Sequence, residues 1–172
     1  MQAQHRLTGA ASWTILAHAQ HQPRTVIVVG AVLAAVTSGG QTSPDMDQYR
    51  WFARIFRWWP GTIDDQLVGH RRLAHWWGIP AALAVLAYVT PIPQEWIVWA
   101  LLWGWGSHLV ADGFFGRRVR PNPRTPLGVP PGIPVFPWWG HIGGLFRSHG
   151  WQADVCAFSI AAGALWLALS PA

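Results

Sequence analysis

The sequence is poor in charged residues, in cysteine and in lysine. Charged residues make up 11% of the chain, which is less than half of the ~25% typical of soluble domains. The single cysteine, Cys156, excludes an internal disulfide and a cysteine-rich metal site. Because there is no lysine, arginine alone supplies the positive charge. The first residues lack a basic patch followed directly by an apolar core, so no signal peptide is expected.

Apolar and aromatic residues are abundant instead. The chain of 172 residues is 51% hydrophobic and contains 14 Trp, 18 Gly and 14 Pro. This composition favours one membrane-embedded domain over 1–172, since Trp prefers membrane interfaces and spans tolerate Gly and Pro. The net charge of +5 could indicate nucleic-acid binding, but in an apolar chain it more often marks cytoplasmic loops. We therefore expect a lipid bilayer, and not nucleic acid, as the partner.

Apolar runs separated by Pro, Gly and polar residues predict the secondary structure. The predicted helices cover about 4–20, 25–38, 70–88, 94–115 and 151–169. The segment 116–140 is rich in Pro, Gly and Arg and is predicted to be an irregular loop. The predicted fold class is all-α, a polytopic membrane bundle of about four to five helices.

The arginines are distributed unevenly between the two ends of such a bundle. If five helices run up and down, the N-terminus, 39–69 and 116–150 share one face, and that face holds every arginine except Arg24. The positive-inside rule then predicts that this face is cytoplasmic, in a multi-pass protein of the inner (plasma) membrane. If the first helix lies on the membrane surface instead, the assignment of faces shifts by one helix.

The motif Ser107-His108-Leu109-Val110-Ala111-Asp112 carries the strongest chemical signal. His108 and Asp112 are four residues apart, so they share one helix face. Both are costly to bury in apolar surroundings without a partner. A shared metal ion or a direct hydrogen-bonded pair would both satisfy them. The up-and-down arrangement brings further imidazoles and carboxylates to the same end, namely His5, Asp45, Asp47, His70, His75 and Asp154.

Convergent imidazole and carboxylate groups predict a divalent metal site. Mixed N and O ligands suit Zn, with Mn or Fe as alternatives, better than Ca or Mg. Each group also has an ordinary interpretation. Asp45 and Asp47 could form a solvated turn, His75 could be an interfacial histidine, and Arg71 could be simple cytoplasmic charge or a fork that binds phosphate.

These elements, taken in order, give the chain a family resemblance. It resembles the membrane-bound, predicted metal-dependent hydrolases of the inner membrane, a family regulated by the SOS repressor in some bacteria. The matching elements are His5 before Thr8-Gly9-Ala10, Pro44-Asp45-Met46-Asp47, His70-Arg71-Arg72-Leu73-Ala74-His75, Ser107-His108 with Asp112, and Val135-Phe136-Pro137. That family is distantly similar to zinc-dependent phospholipase C and P1-type nucleases, which suggests phosphoester hydrolysis by analogy.

The resemblance implies roles for these residues. The expected metal ligands are His108, Asp112, His75 and Asp45, with Asp47, His70 and His5 in a second ion site or an outer shell. Asp47 and Arg71 are the expected catalytic groups, with Arg71 neutralising developing negative charge while a metal-activated water attacks a phosphoester, such as a lipid head group. The alternatives are a non-catalytic membrane protein with a structural metal site or polar cluster, and a transporter or accessory subunit.

The chain departs from the family pattern at several neighbouring positions. Gln4 and Ala74 stand where a Thr usually precedes the first His and His75, and Phe115 stands where a Thr often follows the His108 element. Trp76 replaces a small polar residue, and Asp154 replaces a Glu. Hydroxyl groups at such positions could orient ligands, so their loss bears on activity more than on metal binding.

Overall fold

The described part of the chain contains five α-helices, two short 3-10 turns and one pair of β-strands. The computed structural model describes residues 2–48, 73–115, 133–136, 139–142 and 151–169. The helices are α1 (Gln2–Ala19), α2 (Arg24–Ser38), α3 (Gly78–Val89), α4 (Glu95–Phe115) and α5 (Trp151–Leu169). Two short 3-10 turns, Pro44–Gln48 and Leu73–His75, lie after α2 and before α3. This architecture confirms the helical prediction.

Prolines and tight turns set the helix boundaries. Pro23 immediately precedes α2, and its fixed φ is compatible with a helix start. Pro91 and Pro93 lie between the end of α3 and the start of α4, where they prevent the two helices from merging. The connecting turns contain His21 and Gln94, which adopt positive φ angles of 54° and 55°. Such left-handed residues reverse the chain direction within a few residues.

Two predictions about local structure need correction. The third helix was expected to begin near His70, but α3 begins at Gly78, after His75 in its own 3-10 turn. Part of the predicted irregular loop forms an antiparallel hairpin, in which β1 (Ile133–Phe136) pairs with β2 (Trp139–Ile142). Branched and aromatic residues in both strands favour extended backbone despite the surrounding prolines.

Membrane crossing is not confirmed by the helices themselves. Within the described ranges, no helix is both long and apolar enough to span a bilayer. The polytopic arrangement therefore stays a prediction.

Helices α1, α2 and α4 pack closely through small residues. Their shared apolar cluster consists of Trp13, Ala17, Ala34 and Ala100. The Trp13 indole Nε1 donates a hydrogen bond to the Val26 carbonyl oxygen at 3.2 Å. Three alanines in one cluster allow helix axes to approach, because little side-chain volume separates the backbones.

Two glycines lie where the backbones come closest. A Cβ at Gly9 would overlap the Ser38 side chain, which joins α1 to the end of α2. A Cβ at Gly104 would overlap the Ala34 carbonyl oxygen and Thr37 Oγ1, which joins α4 to α2. At the same crossing, Thr37 Oγ1 lies 2.8 Å from the Leu101 carbonyl oxygen, its hydrogen-bond acceptor on α4. These contacts hold the C-terminal half of α2 and the middle of α4 at a fixed spacing.

We predict that Gly104→Ala lowers the free energy of unfolding by about 1–2 kcal/mol, because overpacking at the α2–α4 crossing outweighs the helix propensity gained. Thermal unfolding in detergent measures the change. The matched control is Gly106→Ala on the same helix, where an added Cβ meets no atom within 4 Å. This control should unfold at the same or a higher temperature than the wild type. A Gly104→Ala protein as stable as the control would contradict the packing described.

Candidate metal centre

Five buried imidazole and carboxylate side chains meet at one end of the bundle. We call this set the His/Asp cluster: His5, Asp45, His75, His108 and Asp112. It draws on the start of α1, the turn after α2, the turn before α3 and the C-terminal half of α4. All five residues are less than 9% exposed, and His75 and His108 have no exposed surface. The sequence-predicted ligands that the structure describes in full thus lie together.

The nitrogen–oxygen distances within the cluster are longer than hydrogen bonds. His75 Nε2 lies 3.4 Å from both Asp45 Oδ1 and Asp112 Oδ2. His108 Nε2 lies 3.8 Å and 3.6 Å from the same two oxygens. Direct hydrogen bonds between such atoms would be about 2.7–3.2 Å long. Tetrahedral zinc with bonds of about 2.0–2.1 Å separates its ligands by about 3.4 Å. These distances are compatible with a bound cation, and two overlapping groups of three residues could each hold one: Asp45, His75 and His108, and His5, His108 and Asp112.

The tautomer of His108 is fixed by a backbone contact. Its Nδ1 lies 2.8 Å from the Ser38 carbonyl oxygen. A carbonyl oxygen only accepts hydrogen bonds, so Nδ1 carries the proton in the neutral ring. The lone pair of Nε2 then faces two carboxylate oxygens, and within the described residues this buried nitrogen has no hydrogen-bond partner. Acceptor facing acceptor is unfavourable without an intervening positive charge, either a proton or a metal ion.

His5 extends the cluster on the other side of Asp112. Its Nε2 lies 3.6 Å from Asp112 Oδ1, whereas Asp112 Oδ2 faces His75 and His108. The His5 ring also stacks on His108, with ring centroids 4.1 Å apart. The two oxygens of Asp112 thus face different imidazoles, which is the arrangement a carboxylate needs to bridge two ions or to orient an outer imidazole.

Burial keeps His5 in the form that can bind a metal. Loss of solvation and, to a smaller extent, the nearby His108 lower the pKa of His5 to about 4 against the opposing effect of Asp112 and Asp45. The ring is therefore neutral at pH 7. A neutral imidazole can donate its ring nitrogen lone pair to a metal ion.

A turn after α2 positions Asp45. The buried Ser43 hydroxyl lies 2.8 Å from the Gly40 carbonyl oxygen, to which it donates. Ser43 Oγ in turn accepts a hydrogen bond from the Asp45 backbone N–H at 3.2 Å. Sequence reasoning missed Ser38 and Ser43 as supports of the cluster. The sequence feature that could have indicated these supporting serines is the run of small polar residues between the end of α2 and Pro44.

The remaining predicted site residues are described less fully. Asp47 belongs to the same 3-10 turn as Asp45, and its side chain lies outside the described atoms. His70 and Arg71 lie outside the described residues. Asp154 lies near the start of α5, where its carboxylate accepts a hydrogen bond from the Gln4 side chain. That contact places α5 beside the start of α1, next to the cluster.

The chain was compared with known proteins. The model of the YdjM inner membrane protein family matches residues 1–171. The chain therefore belongs to this inner-membrane family. No curated protein and no solved structure matches the chain.

We predict that acid destabilises the metal-free protein partly through His5. The pKa of His5 is about 4 in the folded state and 6.5 in its ordinary state, so the unfolded state binds more protons between these values. The free energy of unfolding therefore falls as the pH is lowered from 6.5 towards 4. His5→Gln removes this contribution and flattens the pH dependence, whereas His18→Gln, at the far end of α1, should not. Thermal unfolding in the presence of chelator, recorded across this pH range, measures how stability depends on pH. If stability depends on pH equally steeply in His5→Gln and the wild type, the burial of His5 is contradicted.

Proposed function

We propose that this member of the YdjM inner membrane protein family is a metal-dependent hydrolase whose His/Asp cluster binds a divalent cation. One observation carries the proposal. Two imidazole nitrogens and two carboxylate oxygens, buried in an apolar bundle, lie 3.4–3.8 Å apart across the four pairs described above. This spacing suits tetrahedral coordination better than direct hydrogen bonding.

The proposed ligands are His75, His108, Asp45 and Asp112. Their N and O donors favour Zn, with Mn or Fe as alternatives. His5, which faces the other oxygen of Asp112, would bind a second ion or form part of the outer shell. The sequence adds His70 and Asp47 to that second group.

The chemistry follows from a metal held in this way. A divalent ion supplies Lewis-acid activation of water at neutral pH, which serves phosphoester hydrolysis. Groups of the chain itself would orient the ligands and neutralise charge. The Ser38 carbonyl oxygen holds the His108 ring in the tautomer that directs Nε2 into the site. Asp47 would be a further acidic group beside Asp45, and Arg71 would neutralise the charge that develops on a phosphoryl group.

A membrane-facing substrate is consistent with the outer surface of the protein. Large apolar side chains lie exposed on several helices, among them Val28, Val32, Val85, Leu86, Phe158, Leu165 and Trp166. Large apolar side chains exposed on several helices favour contact with a membrane or a partner. With the arginine-rich end facing the cytoplasm, the cluster would lie at the inner membrane surface. Phospholipids or other phosphoesters there are the proposed substrates.

The second candidate is a structural metal site without catalysis. It is supported by the complete burial of His75 and His108, and by the way the cluster joins α1, α4 and the turns beside α2 and α3. In that case the cation would hold helix ends together as structural zinc does. Metal binding without turnover on phosphoester, phospholipid and nucleotide substrates would favour this candidate.

We predict that the purified protein contains a stoichiometric divalent metal. His108→Ala and Asp112→Ala should each lose most of it, since each removes a donor atom from the shell. Elemental mass spectrometry of protein purified in detergent measures the content. His18→Ala is the matched control, because His18 lies near the C-terminal end of α1, away from the cluster. Wild-type metal content in both cluster variants would refute the site.

Activity is the second test of the proposal. The metal-loaded protein should hydrolyse bis(4-nitrophenyl) phosphate or a phospholipid, and chelation should abolish the reaction. Asp112→Asn should reduce the rate by more than the ~10–100-fold that loss of an outer-shell partner costs, because Asp112 faces three imidazoles. Full activity after complete removal of the metal would contradict metal-dependent hydrolysis.

A further inference from the structure

An apolar cavity adjoins the His/Asp cluster. Its volume is about 650 Å³, and α1, α3, α4 and α5 contribute to its wall. A volume of this size lies within the ~300–1,000 Å³ range of small-molecule pockets. Most of the wall is apolar, including Trp99, Leu102, Val110, Phe115 and Ile160.

Two residues of the cluster, His5 and Asp112, line this cavity. Two serines on the wall have hydrogen-bond partners of their own. Ser107 Oγ lies 2.8 Å from the Gly104 carbonyl oxygen, and Ser12 Oγ accepts a hydrogen bond from Trp103 Nε1. Local hydrogen bonds of this kind satisfy hydroxyls without a ligand. A charged ligand group would therefore lie at the cluster, and an apolar group elsewhere.

The cavity also meets the apolar outer surface of the bundle. Val110 and Phe114 both line the cavity, and they are 60% and 51% exposed. Trp103 is a third such residue, at 39% exposure. The same side chains thus form the cavity wall and part of the exposed apolar surface. A hydrocarbon chain in a membrane could enter sideways at these residues without crossing water.

From these observations we infer that the cavity binds the alkyl chain of a membrane amphiphile that carries a phosphate head group. The phosphate lies at the His/Asp cluster, and the chain lies along the wall formed by α1, α3, α4 and α5. The inference rests on the proposed function, since the cluster must hold a cation to attract the phosphate. It goes further in naming the substrate class as a phospholipid-like ester rather than a free phosphate ester.

Chain length is the quantity that tests this inference. Each methylene group buried in an apolar site is worth about fourfold in affinity. Dodecyl phosphate should therefore bind at least about 100-fold more tightly than butyl phosphate, a gain that needs only three to four of its additional methylenes buried. Inorganic phosphate and 1-dodecanol separate the contributions of the head group and the chain.

Gly106 offers a substitution that fills the cavity without disturbing the packing. It lines the cavity, and a Cβ added to it meets no atom within 4 Å. Gly106→Leu should place its side chain in the space that the alkyl chain would use. Gly163 on α5 also has open space at its Cβ, but it does not line the cavity. Gly163→Leu is therefore the matched control.

The experiment uses the metal-loaded full chain in amphipol, without detergent that could fill the cavity. Cys156 lines the cavity and is the only cysteine, so its alkylation rate with N-ethylmaleimide reports occupancy. Dodecyl phosphate should slow alkylation by at least about tenfold at a concentration where butyl phosphate and inorganic phosphate do not. Gly106→Leu should lose most of the protection relative to its own rate without ligand, keep its metal and keep its affinity for butyl phosphate. Gly163→Leu should behave as the wild type.

The possible outcomes separate this inference from the proposed function. Equal affinity for dodecyl and butyl phosphate, or full protection by dodecyl phosphate in Gly106→Leu, overturns the assignment of the cavity even if phosphoesters are hydrolysed. Protection by 1-dodecanol equal to that by dodecyl phosphate overturns the assignment of the phosphate to the cluster. Dodecyl phosphate protection that requires the metal, without any turnover, supports the binding site while the hydrolase proposal fails.

Discussion

The mutual repulsion of buried acceptors is the constraint on which this structure depends. The lone pair of His108 Nε2 faces oxygens of Asp45 and Asp112 in a buried site, and a positive charge between them would remove the cost. Because the cluster residues come from α1, α4 and two turns, a bound cation would link segments far apart in the chain. Because the proton of the neutral His108 ring is on Nδ1, its Nε2 can only accept a hydrogen bond or bind a cation, and cannot donate to the carboxylates.

Small residues make the site possible by bringing the helices close. Gly9 lets α1 approach the end of α2, and Gly104 lets α4 approach Ala34. The same crossings place the Ser38 carbonyl oxygen against His108. The apolar bundle thus surrounds the His/Asp cluster with a poorly solvating interior, which would strengthen ion binding, and the proposed substrate chain would occupy the adjoining apolar cavity.

The sequence predicted which site residues would lie at the same end of the bundle better than it predicted local secondary structure and individual side-chain contacts. Alternating helix directions were enough to expect His5, Asp45 and His108 at one end, because up-and-down packing leaves few arrangements. The hairpin from Ile133 to Ile142 was missed because prolines suggested irregular backbone, whereas strand pairing depends on a partner distant in sequence. The contact between Gln4 and Asp154 was also missed. Both positions depart from the family pattern, and only tertiary structure shows that these two departures meet.

Anomalous diffraction at the zinc edge from crystals of the zinc-loaded protein tests the central claim most directly. A peak within about 2.2 Å of the Nε2 atoms of His75 and His108 and of oxygens of Asp45 and Asp112 is the predicted result. A map without a peak among these atoms, or with zinc only at histidines such as His18 and His21, would contradict the account.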